Sequence, residues 1–334
     1  MKNKRMFINL SANIISFIIN IGINFLLTPF IVNRLGREAY GFIGLANNFV
    51  NYASIITVAL NSVAGRFITI KVHQKKYDDA NRYFNSVLIA NTIMSIMLTV
   101  VSIGIIINLQ SIINIPQNLT SDVKITFGVV FLNFIVTLIT SIFNVATFVK
   151  DRLDLSAIIN IKANILRVIV IICLFSLFKA KIYYISISAL ILTIVTAIYN
   201  AKYTKTLLNE IKIKIQYFEF NAVKELLSLG IWNSVNNLSQ ILLNGLDLLI
   251  ANLFINSQAM GNLSIAKTIP TVFISFLGTI GGVYAPKFTI LYTKKDIFGL
   301  VNEIKFSMKT IGVIITVPLV GFMVFGMDFY RLWL

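Results

Sequence analysis

Four ionisable side chains stand inside long apolar stretches, where a charge is costly and usually serves a function. They are Lys162, Arg167, Asp247 and Lys267. An arginine at mid-depth in such a stretch can bind a phosphate through two parallel hydrogen bonds. Three cations against one carboxylate would make a shared cavity net positive. This balance favours an anionic substrate over a cationic drug.

Each charge also has a structural interpretation. Lys162 stands near one end of its apolar segment and can extend its ammonium group to the lipid head groups. Asp247 and Lys267 flank a short turn near Asn256-Ser257 at nearly equal distance. They could therefore form a buried pair that joins two helices, or a pair that opens when substrate or a coupling ion arrives. The sequence leaves both interpretations open.

The first apolar segment carries a stripe of amides on one helical face, and the stripe recurs 220 positions later. The matched residues are Asn13, Asn20 and Asn24 in the first copy and Asn233, Gln240 and Asn244 in the second. Asn47 and Asn51 form a shorter stripe in the second segment, and Asp247 continues the repeated one. An unpaired amide in hydrocarbon costs several kcal/mol, so the stripes are predicted to face a shared polar cavity. The alternative is that these amides bridge packed helices.

Composition indicates an all-α polytopic membrane protein. The 334 residues are 57% hydrophobic and 13% charged, with a mean hydropathy of +0.83. The net charge of +16 lies mostly in short segments between apolar stretches. It predicts contact with anionic membrane lipids and no binding of nucleic acid. One cysteine, Cys173, one histidine, His73, and the absence of catalytic or cofactor motifs predict no disulfide, no metal, no cofactor and no enzyme activity.

Nine membrane spans are predicted, at about 7–32, 40–65, 85–109, 123–147, 155–178, 182–202, 227–255, 259–285 and 304–326. Lysine and arginine are concentrated in alternate loops, which places the N-terminus in the cytoplasm. Residues 1–202 are predicted to form a six-helix lobe, 203–226 a basic cytoplasmic linker and elbow, and 227–334 the first three helices of a truncated second lobe. Two six-helix lobes of this kind would be parallel repeats. The segment 66–84 is predicted to be a helix on the membrane surface.

Several short stretches resemble the bacterial polysaccharide exporters. They are Thr28-Pro29-Phe30, Arg34-Leu35-Gly36, Ala39-Tyr40-Gly41, Lys150-Asp151-Arg152-Leu153-Asp154-Leu155 and Glu225-Leu226-Leu227-Ser228-Leu229-Gly230-Ile231-Trp232. These exporters are the O-antigen and capsule flippases of the multidrug/oligosaccharidyl-lipid/polysaccharide (MOP) transporter superfamily. The resemblance extends over essentially the whole chain.

The resemblance implies two six-helix lobes around a central cavity and transport by alternating access. The implied substrate is an oligosaccharide linked to a polyprenyl diphosphate, exported across the bacterial cytoplasmic membrane in partnership with polysaccharide polymerase machinery. The diphosphate contact would fall on Arg167, Lys162 and Lys267.

Three alternatives remain open at the level of sequence. A drug or cation antiporter of the same superfamily predicts acidic cavity residues, of which Asp247 alone qualifies. A membrane enzyme that polymerises or transfers glycans predicts a larger external loop with catalytic residues. A truncated product without function is the third.

Overall fold

The computed structural model describes residues 2–293 and 295–334, without the side chains of 2–7, 10, 279–283, 285–287, 289–290 and 292–293. The regular secondary structure of this part of the chain is helical, and it contains no β-strand. Long helices are the expected result for apolar segments in a membrane, because a helix bonds its own backbone groups where no water is present. The prediction of an all-α membrane protein is confirmed.

Eight helices precede the basic linker. They are α1 (Lys2–Leu35), α2 (Arg37–His73), α3 (Tyr77–Ile107), α4 (Leu109–Ile112), α5 (Thr120–Thr140), α6 (Val145–Val149), α7 (Leu153–Leu177) and α8 (Tyr183–Leu207). A 3-10 turn, Ser141–Asn144, joins α5 to α6. Five helices follow the linker, namely α9 (Phe220–Asn244), α10 (Asp247–Phe254), α11 (Ser257–Ala266), α12 (Thr268–Thr293) and α13 (Ile297–Trp333).

Eight helical segments of the described chain are long and apolar enough to cross a membrane. They correspond to eight of the nine predicted spans. The exception is the segment 227–255, which is helical but divided between α9 and α10 at Gly245 and Leu246. Because α9 carries a series of amides and hydroxyls, it falls short of the hydropathy of the other spans. All nine predicted spans are therefore helical in the structure, and eight of them have the length and hydropathy of a membrane span.

The predicted surface helix at 66–84 is wrong. Helix α2 continues to His73 and α3 begins at Tyr77, so the two long helices occupy most of this segment. A tight turn joins them, with Lys75 in the left-handed conformation at φ 59°. The end of the predicted linker and elbow, residues 220–226, forms the first turns of α9.

The described chain forms two compact units, Met1–Asn262 and Leu263–Leu334. In the first unit, the largest buried cluster joins α2, α3, α6 and α9, with Ile68, Phe84, Ala146 and Leu226 at its centre. A smaller cluster joins α1 to α7. In the second unit, α12 packs against α13. There the Tyr330 hydroxyl donates to the Ala266 carbonyl oxygen at 2.8 Å.

Helices α2 and α9 approach each other closely enough to require glycine. A Cβ at Gly230 of α9 would collide with the carbonyl oxygen of Ala59 and lie 2.6 Å from its carbon. A Cβ at Gly41 of α2 would lie 2.7 Å from the Cα of Gly261 in α11. Gly41 and Gly261 hold equivalent positions in the 220-residue repeat. Two copies of a unit that are related by a two-fold axis contact each other through equivalent positions near that axis.

Replacing Gly230 with alanine is expected to force α2 and α9 apart, because the obstructing atoms belong to backbone that cannot rotate away. We expect a loss of about 1–3 kcal/mol in the free energy of unfolding, which is typical of overpacking. Thermal unfolding of the protein purified in detergent measures this change. Gly22→Ala is the matched control, because nothing lies within 4 Å of a Cβ at Gly22. Equal stability of the two variants would contradict the close approach.

Candidate functional site

Arg167 is a charged residue within the helical packing of the first unit. Its side chain on α7 is half-buried, and its Nε is fully buried without a hydrogen-bond partner. Tyr40 of α2 is its electrostatic neighbour. The guanidinium makes no ion pair with any other described residue. An arginine held in this way in a membrane has a strong unsatisfied capacity to bind an anion.

The register of α1 against α7 shows which residue of the first amide stripe lies at the level of Arg167. At the start of the two helices, the Asn9 side chain donates to Asp151 Oδ1 at 2.8 Å and accepts from the Asp154 backbone N–H at 3.1 Å. Further along, Leu27 of α1 and Ile171 of α7 share one buried cluster. The helices therefore run parallel with a constant offset. This offset sets Arg167 at the level of Ile23 and Asn24.

The amides of α1 are bonded along their own helix. Asn13 donates to the Asn9 carbonyl oxygen at 2.9 Å, and Asn24 donates to the Asn20 carbonyl oxygen at 3.0 Å and to its Oδ1 at 2.7 Å. Asn13 and Asn20 are exposed and Asn24 is half-buried. None of these three amides bridges to another described helix, so this face of α1 is open. That they line a substrate cavity stays a prediction.

The second and third stripes are bonded differently. Asn233 of α9 donates to Ser62 Oγ of α2 at 3.0 Å, which is the bridging arrangement. Gln240 accepts from Asn244 at 3.4 Å within α9. Asn47 donates to the Ile43 carbonyl oxygen at 2.9 Å, and the carbonyl oxygen of Asn51 accepts from Ser54 at 2.7 Å. These five amide side chains are exposed.

The other predicted charges lie at helix ends or on an exposed face. Asp247 begins α10, and its Oδ1 accepts the Leu248 backbone N–H at 2.9 Å. A carboxylate is favourable at this position because it interacts with the helix dipole. Lys162 is exposed on α7. Lys267 joins α11 to α12 in the second unit, whereas Asp247 belongs to the first, so their proposed pairing stays a prediction.

Two sets of polar contacts were not predicted. Asn48 and Tyr52 of α2 both donate to the carbonyl oxygen of Gly245, at 2.8 and 2.6 Å, where α9 ends. The sequence signal that could have predicted this contact is the glycine directly after the second amide stripe. The second set joins α10 to the segment after α4. Asn252 of α10 is fully buried and exchanges three hydrogen bonds of 2.8 to 3.0 Å with Asn114.

Polar side chains of α3 hold the basic linker. Asn81 and Asn85 bond the linker backbone at Glu210, Lys212 and Lys214 over 2.6 to 3.0 Å. Near the start of α9, the Tyr83 hydroxyl donates to Glu225 at 2.6 Å and Arg82 pairs with Glu219. Side chains of α3 therefore hold the linker from Glu210 to Glu219.

The arrangement of helices matches solved structures of other membrane proteins. A solved structure described as the inward-facing conformation of a multidrug resistance MATE family transporter of the MOP superfamily superposes with a TM-score of 0.75. It is 14% identical, and the match covers 98% of this chain and 75% of that one. An outward-facing conformation of a MATE family transporter matches with a TM-score of 0.67 at 14% identity, over 96% of this chain and 73% of that one. At these identities the likeness establishes the fold.

The family follows from sequence. Residues 6–291 match the family described as "Polysaccharide biosynthesis protein", and the chain belongs to this family. It is 32% identical to a Bacillus subtilis (strain 168) protein described as "Uncharacterized membrane protein EpsK", over 93% of this chain. The chain spans 62% of the length of that relative. The resemblance to the polysaccharide exporter family is confirmed, and the solved structures that share the fold are transporters.

Replacing Asn252 with leucine is expected to release the connection between α4 and α5 from α10. The substitution removes the two hydrogen bonds that the Asn252 side chain makes with Asn114, and this loss should lower the free energy of unfolding by about 1–3 kcal/mol. Thermal unfolding in detergent tests this change, with Asn262→Leu as the control because Asn262 is exposed on the next helix. If both variants unfold like the parent protein, the Asn114–Asn252 contact does not contribute to stability.

Proposed function

We propose that this protein moves an oligosaccharide linked to a polyprenyl diphosphate across the bacterial cytoplasmic membrane, for the synthesis of a surface polysaccharide. Its N-terminus lies in the cytoplasm, and transport proceeds by alternating access. Anionic membrane lipids and polysaccharide polymerase machinery are its proposed partners. Family membership supports the link to polysaccharides, and the unpaired guanidinium of Arg167 supports the diphosphate.

Arg167 is the observation that carries the proposal. Burying a cation without a counterion is costly, so a protein that maintains one needs a compensating interaction. No carboxylate of the described chain supplies it. A diphosphate would do so while it is bound, because its oxygens match the planar fork of a guanidinium. The interaction would form on binding and be lost on release, as a transport cycle requires.

The amide stripe beside Arg167 suits the glycan part of the same substrate. The Oδ1 atoms of Asn13 and Asn24 accept no hydrogen bond from another described residue, although each amide nitrogen is already bonded. Carbonyl oxygens in this state accept from sugar hydroxyls. A cation at one level of α7 and acceptors along α1 would then bind the two polar parts of one lipid-linked glycan.

The charge at the site also separates this proposal from a multidrug antiporter. The MATE structures that share the fold are only 14% identical, so they carry no information about the substrate of this chain. A cationic drug would meet the repulsion of Arg167. Lys162 and Lys267 remain predicted contacts of the diphosphate, and Asp247 a predicted coupling residue.

Arg167→Gln is expected to reduce export at least tenfold, about the loss expected for one charged hydrogen-bond partner. Arg167→Lys should recover only part of this loss, because an ammonium keeps the charge without the bidentate fork. Each variant is expressed in a host that lacks the native gene. Surface polysaccharide and the lipid-linked intermediates that remain in the membrane are then measured.

Lys179→Gln provides the control, because it removes an exposed cation from the loop after α7. Membrane insertion is checked by the amount of protein in isolated membranes. Normal surface polysaccharide in the inserted Arg167→Gln variant would overturn the assignment. Accumulation of unpolymerised glycan already exposed on the outer surface would indicate a polymerase instead of a flippase.

A further inference from the structure

A second polar site lies inside the first unit, away from Arg167. It is a cavity of 570 Å³ between α2, α7, α8 and the 3-10 turn that joins α5 to α6. Its volume is within the range of ligand-binding pockets. Arg66 is the only charged residue in its lining, which otherwise consists mainly of amides and hydroxyls. Asn160 marks its position on α7, seven residues or about 10 Å along the helix from Arg167.

The lining offers more hydrogen-bond donors than its own residues use. The Arg66 guanidinium has no hydrogen bond or ion pair with another described residue. The amide of Asn160 makes no side-chain bond in the described chain. Asn144 accepts from Asn200 at its Oδ1, and its own amide nitrogen donates to no described residue. Arg66, Asn144 and Asn160 are exposed residues of this lining, so three donor groups, one of them charged, are available to a ligand where the lining has no carboxylate. This is the chemistry that binds an oxyanion.

One acceptor in the same cavity is also unsatisfied. Asn200 is 5% exposed, and its Oδ1 is buried without a hydrogen-bond partner. Its amide nitrogen is bonded to Asn144, which fixes the orientation of the orphan oxygen. Buried acceptors of this kind are rare and call for a partner. A hydroxyl group on the ligand would satisfy this oxygen by donating to it. A phosphate ester that carries free hydroxyl groups supplies such a donor in addition to its phosphate.

The wall of the cavity is not wholly polar. Phe148, which contributes to the lining, is 56% exposed and presents an apolar ring. The acyl chain attached to a polar head group could pack against such a ring. The cavity thus combines a cation, amide donors, a buried acceptor and an apolar rim.

We propose that this cavity binds a phosphate ester with free hydroxyl groups, the chemistry of a phosphoglycerol head group. Arg66 binds the phosphate together with the amides of Asn144 and Asn160, and Asn200 accepts from a hydroxyl. The ester can belong to an anionic membrane lipid or to free glycerol phosphate. The site is independent of the transport proposal, because neither Arg167 nor the amide stripe of α1 takes part.

The test is native mass spectrometry of the full-length protein released from vesicles of phosphatidylglycerol and phosphatidylcholine mixed in equal amounts. The parent protein is expected to retain phosphatidylglycerol and not phosphatidylcholine, which has the phosphate but no hydroxyl. Arg66→Gln and Asn160→Asp should each reduce that retention about tenfold. Lys202→Gln is the control, since it removes an exposed cation two residues from Asn200 and should change nothing.

Thermal unfolding with free glycerol phosphate distinguishes the two sources. Stabilisation by the free ester that is lost in Arg66→Gln supports the site and identifies the soluble ester as a ligand. Lipid retention without stabilisation by the free ester supports the site and assigns it to the lipid. Equal retention of both lipids, or unchanged retention in both cavity variants, would overturn the proposal.

Discussion

The close packing of α2 against α9 and α11 is the contact on which the first unit depends. It brings backbone to backbone at Gly230 and Ala59, and again at Gly41 and Gly261. Lipid is as apolar as leucine, so no hydrophobic force holds two helices together in a membrane. Small residues let the helix backbones approach closely, and van der Waals packing then holds them together. Once α9 is held at this distance, Asn233 can reach Ser62 and the carbonyl oxygen of Gly245 can accept from α2.

Polar groups in this protein fall into three states, and the difference between them indicates function. Some amides join distant segments of the chain, as Asn9 and Asn252 do from buried positions and Asn233 does from an exposed one. Others are bonded along their own helix and stay exposed, as on α1. The third state consists of buried atoms that have no partner, and it is found at Arg167, Asn200, Ser95, Asn133, Ser186 and Glu210. Such atoms are maintained at a cost, and the candidates for ligand contact among them are Arg167, which is charged, and Asn200, which lines a cavity.

The sequence predicted the helical class and eight of the membrane spans because apolar length is a strong and local signal. It also singled out Arg167, since a charge within such a segment stands out. The predicted span at 227–255 is helical but less apolar than the others, because the amides that suggested a cavity reduce the hydropathy of α9. The cavity at Arg66 could not be predicted, because its amides come from four separate segments and become neighbours only through the register of packed helices. The level of Arg167 relative to Asn24 likewise depends on the register of α1 against α7.

The central claim is that Arg167 recognises a diphosphate on a lipid. Equilibrium binding to the purified protein tests it most directly, with a polyprenyl diphosphate and the neutral polyprenol of the same length as ligands. The account predicts that the diphosphate binds at least about tenfold more tightly to the parent protein, and that Arg167→Gln removes the preference. Equal affinity for the two lipids, or a preference that persists without Arg167, would contradict it.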